Sequence, residues 1–443
     1  MLKKAGSLFF LILYSCNPDF SEIDFSDSIY SYKKPKVIKI LGGNDEDIVK
    51  KVVSTKDGGF VLIGNTKSTD GFFESKNRLG NDIFLIKMSS QGEILWNKTY
   101  GGSDDDVGNN VIEGLDGSFY IIGYSKSDDG DATINKGQHD NWLIKTDSFG
   151  NILWEKSYGF AGHDHSYNII LTSDGNLFFN GFIDVTLSNG EGSSSSRHGV
   201  GEFWCHKVTM NGEVIWRQYF GGTNNDRSYS SVETLDGGFI VVGTSESRDF
   251  DISNPNGSYD LWVIKLSKFG ELIWEKSFGG IAIDEGVAII KKADNTYTIL
   301  GNTNSNEIEG MKNQGMNDYF LVNLDLEGNT ISKIRHGSSQ FDYAKDLIQT
   351  EDGSLLIVGY SRNPIKIKGM KYDKNAVFII QTHPNGLFQN NWEIKGTDED
   401  LGYSLSELNN GKIVIVGTTK SNDEDFFPSN YQNKNIFIAF LDN

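Results

Sequence analysis

One aspartate recurs along the chain, five residues after a Gly-rich junction, at intervals of 59, 58, 62, 58, 58 and 58 residues. Seven such carboxylates in one place could bind a metal ion or act as acid–base catalysts. A short polar side chain after a Gly pair can instead accept backbone N–H bonds and fix the crossing between two structural units. Because a catalytic site rarely needs seven equivalents, the repetition favours the structural role. The seven residues are Asp47, Asp106, Asp164, Asp226, Asp284, Asp342 and Asp400.

Two further segments have the composition of a metal site. The run "GHDHS" places His163 and His165 two residues apart, and His198 lies in a later Gly/Ser-rich loop. Three such imidazoles could bind Zn²⁺. Residues 127–140, "SDDGDATINKGQHD", are rich in oxygen ligands that suit Ca²⁺ but lack the EF-hand spacing. Because neither segment forms an established metal-binding motif, we expect no catalytic residue, no metal site and no cofactor, with Ca²⁺ as the alternative.

The residues between successive aspartates read as four short strands. In the second unit these are "VGNNVIEGL", "SFYIIGYS", "DNWLIKTD" and "NILWEKSYG", all rich in β-branched and aromatic residues. Asp-Gly or Asn-Gly pairs follow the first strand in six units and predict tight type I′ turns. A Gly also occupies the second turn of six units, and no segment shows a sustained apolar period of 3.6 residues. The sequence therefore predicts an all-β chain.

Seven four-stranded antiparallel units are typical of a seven-bladed β-propeller. An open solenoid is the competing architecture, but it would leave unpaired edge strands. The two ends of the chain favour the ring, since the seventh unit stops after its third strand, "NIFIAFLDN". The N-terminal segment "KPKVIKILGG" matches a fourth strand. We expect this strand, at Val37–Leu41, to pair with residues 436–441, complete the last blade and close the ring.

The repeat also resembles a known family. Its consensus, "GG-x-x-x-D … DG-(G/S)-F-x-x-x-G … D-x-(W/F)-L-I-K … G-x-I-x-W", resembles the SBBP-type seven-bladed propeller repeats of bacterial lipoproteins and surface proteins. The resemblance covers nearly all of the chain after its N-terminal segment and implies the propeller fold. It implies no single activity.

The N-terminal residues predict a lipid anchor. Residues 1–15 hold two Lys and an apolar run that is too short to span a bilayer, as in a signal peptide. The run Leu13-Tyr14-Ser15-Cys16 resembles a bacterial lipobox, which implies cleavage before Cys16 and acylation of this residue with fatty acids such as palmitate. Asn17 is compatible with onward transport to the outer membrane, and the domain is expected to face outward, with a periplasmic orientation as the alternative. Cys205 is then left without a disulfide partner.

Charge and domain organisation limit the possible partners. Forty-one basic and 60 acidic residues give a net charge of −19, which repels the phosphates of nucleic acids. Residues 16–34 are acidic and Ser-rich and predict a flexible tether. The propeller is expected to span residues 35–443 as a monomer. Its partners are then the membrane, through the N-terminal lipid, and a protein or a glycan.

The copies differ most in the loops between the second and third strands. In an up-and-down blade, these loops share one face with the Gly-rich junctions, and they combine aromatic with acidic residues. Such a face suits binding to a protein or a glycan. The sequence therefore predicts a non-enzymatic binding module; a carbohydrate-active hydrolase and a structural subunit of an outer-membrane complex are the alternatives. The candidate contact residues are Phe72, Phe73, Phe250, Phe426, Phe427 and Tyr431.

The predicted anchor can be tested at Cys16. We expect Cys16→Ser to convert a membrane-associated protein into a soluble or unprocessed one, because acyl chains supply about 0.8 kcal/mol of membrane affinity per buried CH₂ group. Fractionation of cells and intact-mass analysis of the purified protein check this. An unmodified mature N-terminus in the wild-type chain would contradict the prediction.

Overall fold

The protein is an all-β propeller in a computed structural model that describes residues 32–76, 78–188, 199–367, 370–427 and 433–442. Seven four-stranded antiparallel sheets, the blades, follow one another along the chain. Within the described residues, helix is confined to a 3₁₀ turn, Gly71–Phe73, and one short α-helix, Val185–Ser188. None of the described helices has the length and apolar composition needed to cross a bilayer. The predicted fold class is confirmed.

Each blade runs from an inner first strand to an outer fourth strand. Blades 1 and 2 comprise Asp47–Ser54, Phe60–Thr66, Asp82–Met88, Ile94–Tyr100, and Asp106–Glu113, Phe119–Ser125, Asp140–Thr146, Ile152–Tyr158. Blades 3 and 4 comprise His165–Leu171, Leu177–Asp184, Gly201–Val208, Val214–Phe220, and Asp226–Glu233, Phe239–Ser245, Asp260–Leu266, Leu272–Phe278. Blades 5 and 6 comprise Asp284–Lys291, Tyr297–Thr303, Asp318–Leu324, Thr330–His336, and Asp342–Gln349, Leu355–Ile367, Met370–Thr382, Phe388–Ile394. Blade 7 comprises Asp400–Glu407, Ile413–Thr419, Asn435–Leu441 and the N-terminal strand Lys36–Leu41.

The two ends of the chain close the ring as predicted. Lys36 pairs with Phe440 and Leu41 with Ile436 in antiparallel register, so the N-terminal strand is the outer strand of blade 7. This pairing removes the two free edges that an open array would leave.

Packing against the ring begins before the predicted domain boundary at residue 35. Tyr32 is buried, and its ring lies edge-on to Trp392 with 6.1 Å between centroids. The Lys33 N–H donates to the carbonyl of Asp442, and Lys34 Nζ lies 2.6 Å from Asp425 Oδ1. The last three residues of the predicted tether, 32–34, therefore contact the propeller. Cys16 and the predicted signal segment lie outside the described residues.

The first turns differ from the predicted type I′ geometry. In blade 1 the Thr55 N–H donates to Gly59 O and the Gly58 N–H donates to Thr55 O, each at 2.9 Å, which leaves a three-residue loop. Gly58 has φ +85°, whereas Asp57 is not among the residues with positive φ. Asp57 Oδ1 accepts bonds from Thr55 Oγ1 and the Gly59 N–H. These side-chain bonds hold the aspartate outside the left-handed region, so the turn is a type I turn closed by a Gly bulge.

Blade 6 carries a protruding hairpin where the sequence predicted a loop. Its second and third strands each extend over 13 residues, Leu355–Ile367 and Met370–Thr382. The pairing continues without a break from Leu355 with Thr382 to Ile367 with Met370. The local sequence "IKIKGMKY" alternates apolar and basic residues, which is the pattern of a paired strand. Its turn, residues 368–369, lies outside the described residues.

The blades pack face to face through apolar side chains. One core cluster joins Val49, Phe60 and Phe84 of blade 1 to Val416 and Ile438 of blade 7, and comparable clusters fill the other interfaces. The strand Trp residues pack against the second Gly turn of the next blade, since a Cβ built on the turn Gly would lie within about 3 Å of each ring. These pairs are Trp96 with Gly150, Trp154 with Gly212, Trp216 with Gly270 and Trp274 with Gly328.

The contact between Trp216 and Gly270 can be isolated with a matched pair of substitutions. Gly270 (φ +85°) and Gly175 (φ +75°) share the left-handed conformation that costs an L-residue about 1–2 kcal/mol. A Cβ at Gly175 meets nothing within 4 Å, whereas one at Gly270 would lie 2.7 Å from Trp216. We expect Gly270→Ala to lower the free energy of unfolding by about 1–3 kcal/mol more than Gly175→Ala, since overpacking adds to the backbone cost. Urea denaturation measures both; equal losses would contradict this account of blade packing.

Candidate functional site

Each repeated aspartate is buried at the start of an inner strand and bonds to the junction before it. Asp47 Oδ2 accepts the Gly43 N–H at 2.8 Å and the Ser68 hydroxyl at 3.0 Å, while its Oδ1 accepts the Thr66 hydroxyl. The backbone bond recurs in every blade, from the residue four positions earlier. The carboxylate thus joins the Gly-rich junction to the end of the second strand, which is a structural use of the side chain.

Burial changes the acidity of these carboxyls. Desolvation raises the pKa of Asp226 to about 6 and the pKa of Asp164 and Asp400 to about 7, against the lowering effect of their hydrogen bonds. Desolvation also raises the pKa of Asp106 and Asp284. Each of these side chains accepts the junction N–H, which agrees with a structural role.

Two of the six predicted contact residues are not exposed, so this part of the prediction is wrong. Phe73 is 1% exposed and packs 5.5 Å from the ring of Phe84. Phe426 is 3% exposed and packs 5.5 Å from the ring of Phe437. In both blades the loop after the second strand folds back and inserts this Phe above the third strand, because the apolar ring gains more from burial than from solvent contact.

A repeated pattern in the loops carries this insertion. An aspartate three residues earlier accepts a junction N–H, as Asp70 does from Asn44 and Asp423 from Thr397. Ala132 and Ile252 occupy the equivalent buried position in blades 2 and 4. The signal in the sequence is therefore Asp followed three residues later by an apolar side chain. Variation in the size of that side chain hides the pattern.

The other four candidates divide into three groups. Phe250 and Phe427 are 61% and 45% exposed, in the loops of blades 4 and 7. Phe72 is half-buried against the core of blade 1. Tyr431 lies outside the described residues. The exposed aromatic surface of these loops is thus smaller than the sequence predicted.

The inner strands carry a second set of variable positions that sequence analysis missed. All seven pair with their second strands through a β-bulge at the third residue after the repeated aspartate. A bulge re-aims a side chain, here towards the central channel around which the first strands of successive blades contact each other. We call the residues at the bulge and directly after the aspartate the channel mouth. They are Ile48, Lys50, Val107, Asn109, His165, Tyr167, Arg227, Tyr229, Glu285, Val287, Tyr343, Lys345, Leu401 and Tyr403.

Aromatic rings dominate one side of the channel mouth. His165 stacks on Tyr124, with centroids 3.9 Å apart and planes 11° apart. Tyr167 lies 5.2 Å from Tyr229 of the next blade. The Arg227 guanidinium lies 4.6 Å from the centroid of Phe182, a cation–π contact. The repeats contained a signal for these positions. The channel-mouth residues vary between the seven copies, whereas the aspartate at the start of the same strand recurs in every copy.

Charged groups and tyrosines occupy the opposite side. Tyr343 donates its hydroxyl hydrogen to Glu285 and stacks on Tyr360 with planes 10° apart. Lys345 Nζ lies 4.4 Å from the centroid of Tyr343. Burial, together with the charge of Lys50, lowers the pKa of Lys345 to about 8. This side of the mouth can therefore offer both hydrogen-bond donors and aromatic faces to a ligand.

A cavity of about 340 Å³ opens at the mouth between blades 4 and 5. Its volume lies within the range of about 300–1,000 Å³ that is typical of small-ligand sites. Among the described residues that line it, Glu285 is the single carboxylate, whereas glycoside hydrolysis commonly uses two. The lining residues are Asn225, Arg227, Tyr229, Thr244, Tyr259, Ile283 and Glu285.

Three histidines meet where blades 2 and 3 join, and one of them, His165, belongs to the channel mouth. His139 Nδ1 lies 2.8 Å from His163 Nδ1 and 3.0 Å from His165 Nε2. The sequence paired His163 and His165 with His198, which lies outside the described residues, and it missed His139. Burial and the neighbouring positive charges lower the pKa of His165 to about 3, and burial lowers that of His139, so both imidazoles are neutral near pH 7.

Comparison with known proteins supports no family assignment. No protein-family model matches the chain. Regulatory protein FlaEY of Caulobacter vibrioides is 24% identical in an alignment 296 residues long that covers 60% of this chain; the chain spans 29% of that relative's length. Sqt1 from Chaetomium thermophilum is similar over 93% of this chain and all of that one, with 10% identity and a TM-score of 0.47. The Pan2 WD40 domain of Neurospora crassa covers 89% of each chain, with 7% identity and a TM-score of 0.46.

The buried carboxyls predict an unusual dependence of stability on pH. A carboxyl whose pKa is higher in the folded than in the unfolded state binds protons more readily when folded, so folding is favoured as pH falls through that window. Each such group contributes about 1.4 kcal/mol per pH unit between its two pKa values. His139, His165 and His206 act in the opposite direction, because burial lowers their pKa and acid protonates them more readily when unfolded. The carboxyls with raised pKa outnumber them: Asp47, Asp82, Asp106, Asp140, Asp164, Asp226, Asp260, Asp284, Asp318 and Asp400.

We therefore expect the free energy of unfolding to rise as the pH falls from about 7 to about 5. Below about pH 4 it should fall again, because hydrogen bonds and lysine partners lower the pKa of Asp57, Asp174 and Asp236 to about 2. Urea unfolding across this pH range measures both limbs. A stability that climbs steadily from pH 5 to pH 7 would contradict the raised pKa values.

Proposed function

We propose that this chain is a lipid-anchored, non-enzymatic binding module of the outer membrane, whose partner is a protein or a glycan. The lipobox-like run Leu13-Tyr14-Ser15-Cys16 supports the anchor, and the acidic, Ser-rich segment after it suits a tether between the lipid and the propeller. The resemblance to SBBP-type repeats is consistent with such a setting. Propellers commonly serve as protein-binding modules, and the blades here differ mainly on one face.

The channel-mouth cavity is the observation that carries the binding role. Two tyrosines, Arg227 and Glu285 line a space large enough for one protruding group, either a protein side chain or a sugar unit. Two tyrosines and one isoleucine supply apolar surface, and an Asn, an Arg, a Thr and a Glu supply polar groups. Polar groups placed beside apolar surface fix the orientation of a ligand in a recognition site. A single lining carboxylate favours binding over the two-carboxylate hydrolysis that is the alternative from the enzyme class. A structural subunit of an outer-membrane complex would use the same face for permanent docking.

Two isoleucines of the same junction offer a matched test. Ile283 lines the cavity and is 40% exposed, whereas Ile281, two residues earlier, is 81% exposed and outside the lining. We expect Ile283→Trp to fill the cavity and weaken partner binding at least about tenfold, which is 1.4 kcal/mol. Ile281→Trp should leave binding intact. Because both side chains reach solvent, neither change should lower the melting temperature appreciably.

Binding is measured on glycan arrays and by cross-linked capture from detergent-solubilised outer membranes. Equal binding by both variants would show that the site lies elsewhere. Loss of binding with Phe149→Ser, in an exposed turn of the opposite face, would then show that the opposite face binds the partner. Release of sugar from a bound glycan that disappears in Glu285→Gln would move the protein into the enzyme class. Loss of capture with Ile283→Trp alone supports the proposal.

A further inference from the structure

Among the described residues of the ring, the meeting of three histidines at one blade junction has no counterpart. His139, His163 and His165 are three of the seven histidines in the chain. One ring nitrogen from each converges, and the three atoms lie within 4.8 Å of one another. They come from two blades, since His139 precedes the third strand of blade 2 and the other two begin blade 3.

The backbone holds this arrangement independently of the side chains. His139 and His163 form a parallel bridge, with the Asp164 N–H donating to His139 O at 2.8 Å. The same bridge joins Tyr259 to Ile283 and Asn317 to Phe341 at later junctions. Because those bridges form without histidine, the fold does not require imidazoles at this place.

Neighbouring side chains orient the third imidazole. Tyr124 stacks on the ring of His165, and the Tyr167 hydroxyl lies 3.3 Å from His165 Nδ1. With Nδ1 facing Tyr167, Nε2 is the nitrogen that faces His139 and His163. A hydrogen-bond partner on the far nitrogen is the common device that fixes the tautomer and orientation of a metal-ligating histidine.

We propose that His139 Nδ1, His163 Nδ1 and His165 Nε2 bind one divalent transition-metal ion of the Zn²⁺ class. Imidazole nitrogens suit Zn²⁺, Cu²⁺ and Ni²⁺, whereas Ca²⁺ and Mg²⁺ prefer oxygen. Ligand nitrogens around a tetrahedral Zn²⁺ at 2.0–2.1 Å lie about 3.3 Å apart. The contacts of 2.8 and 3.0 Å from His139 Nδ1 are slightly shorter than this, and the His163 and His165 nitrogens lie within 4.8 Å of each other, so rotation of the rings is needed to bring all three nitrogens to one ion.

Three protein ligands leave at least one coordination position open. His165 belongs to the channel mouth, so this position adjoins the surface where a ligand would enter. A water molecule completes the site in the free protein, and a carboxylate or imidazole of a partner can replace it. The metal site is independent of the binding role proposed above, since Ile283 and its cavity lie between blades 4 and 5.

The test uses the full-length chain purified without a histidine tag. Zn²⁺ is titrated by calorimetry and by competition with a chromophoric chelator, and Co²⁺ is added to the wild-type chain to record its ligand-field spectrum. We expect one equivalent of Zn²⁺ with a dissociation constant in the micromolar range or below, and no competition by Ca²⁺. A Co²⁺ spectrum of low-coordinate, nitrogen-ligated type is expected.

Four variants locate the ion. His139→Gln and His163→Gln should each weaken Zn²⁺ binding by about 100-fold or more, above the 10–100-fold effect of outer-shell partners. Tyr167→Phe should weaken it by about tenfold, because the orienting bond to His165 is lost. His336→Gln is the control, since His336 Nε2 bonds to the Gly386 carbonyl at another junction. A wild-type chain without stoichiometric binding overturns the proposal, as does binding that the variants of His139 and His163 retain.

Discussion

The ring depends on one buried interaction, the bond between each repeated carboxylate and the Gly-rich junction before it. A chain that passes from the outer strand of one blade to the inner strand of the next must turn sharply at a buried place. The turn leaves N–H groups that would cost about 1–3 kcal/mol each if they stayed unpaired. In blade 1, Asp47 accepts the N–H of Gly43 and also the hydroxyls of Thr66 and Ser68. One side chain therefore joins three segments of the blade.

In six of the seven blades this interaction costs electrostatic free energy, which appears as the raised pKa of the carboxyl. Burial disfavours the ionised form, and two or three hydrogen bonds offset only part of that effect. The alternative, a neutral side chain, offers fewer acceptor oxygens, so it would leave a junction N–H or a hydroxyl without its partner. Six of the seven blades consequently retain an aspartate whose raised pKa opposes folding near neutral pH. The apolar interfaces between blades supply the stability that offsets this effect.

The same constraint separates the fixed positions of a blade from the free ones. The aspartate, the Gly-rich junction and the Gly turns recur in the blades because each satisfies a requirement of the backbone. This repetition made the seven blades and the closure of the ring predictable from the sequence. Phe73 and Phe426 were misjudged because a polar loop with an aromatic pair looks exposed until the aspartate that folds it back is recognised. His139 was missed for another reason. It meets His163 through a bridge between blades, and no local pattern records which residues such a bridge brings together.

Charge completes the distinction between the framework and the channel. The chain carries −19 overall, yet its channel mouth holds Lys50, Lys345 and Arg227 against the carboxylate of Glu285. An exposed acidic surface acts over about one Debye length and is screened by salt, whereas half-buried charges in a narrow mouth are screened less. The outer surface thus carries a negative potential that reaches beyond the molecule, while the mouth presents hydrogen-bond donors and tyrosine faces. Under the binding role proposed above, long-range attraction and local recognition would favour different features of the same partner, and a ligand that satisfied only one of them would be captured weakly.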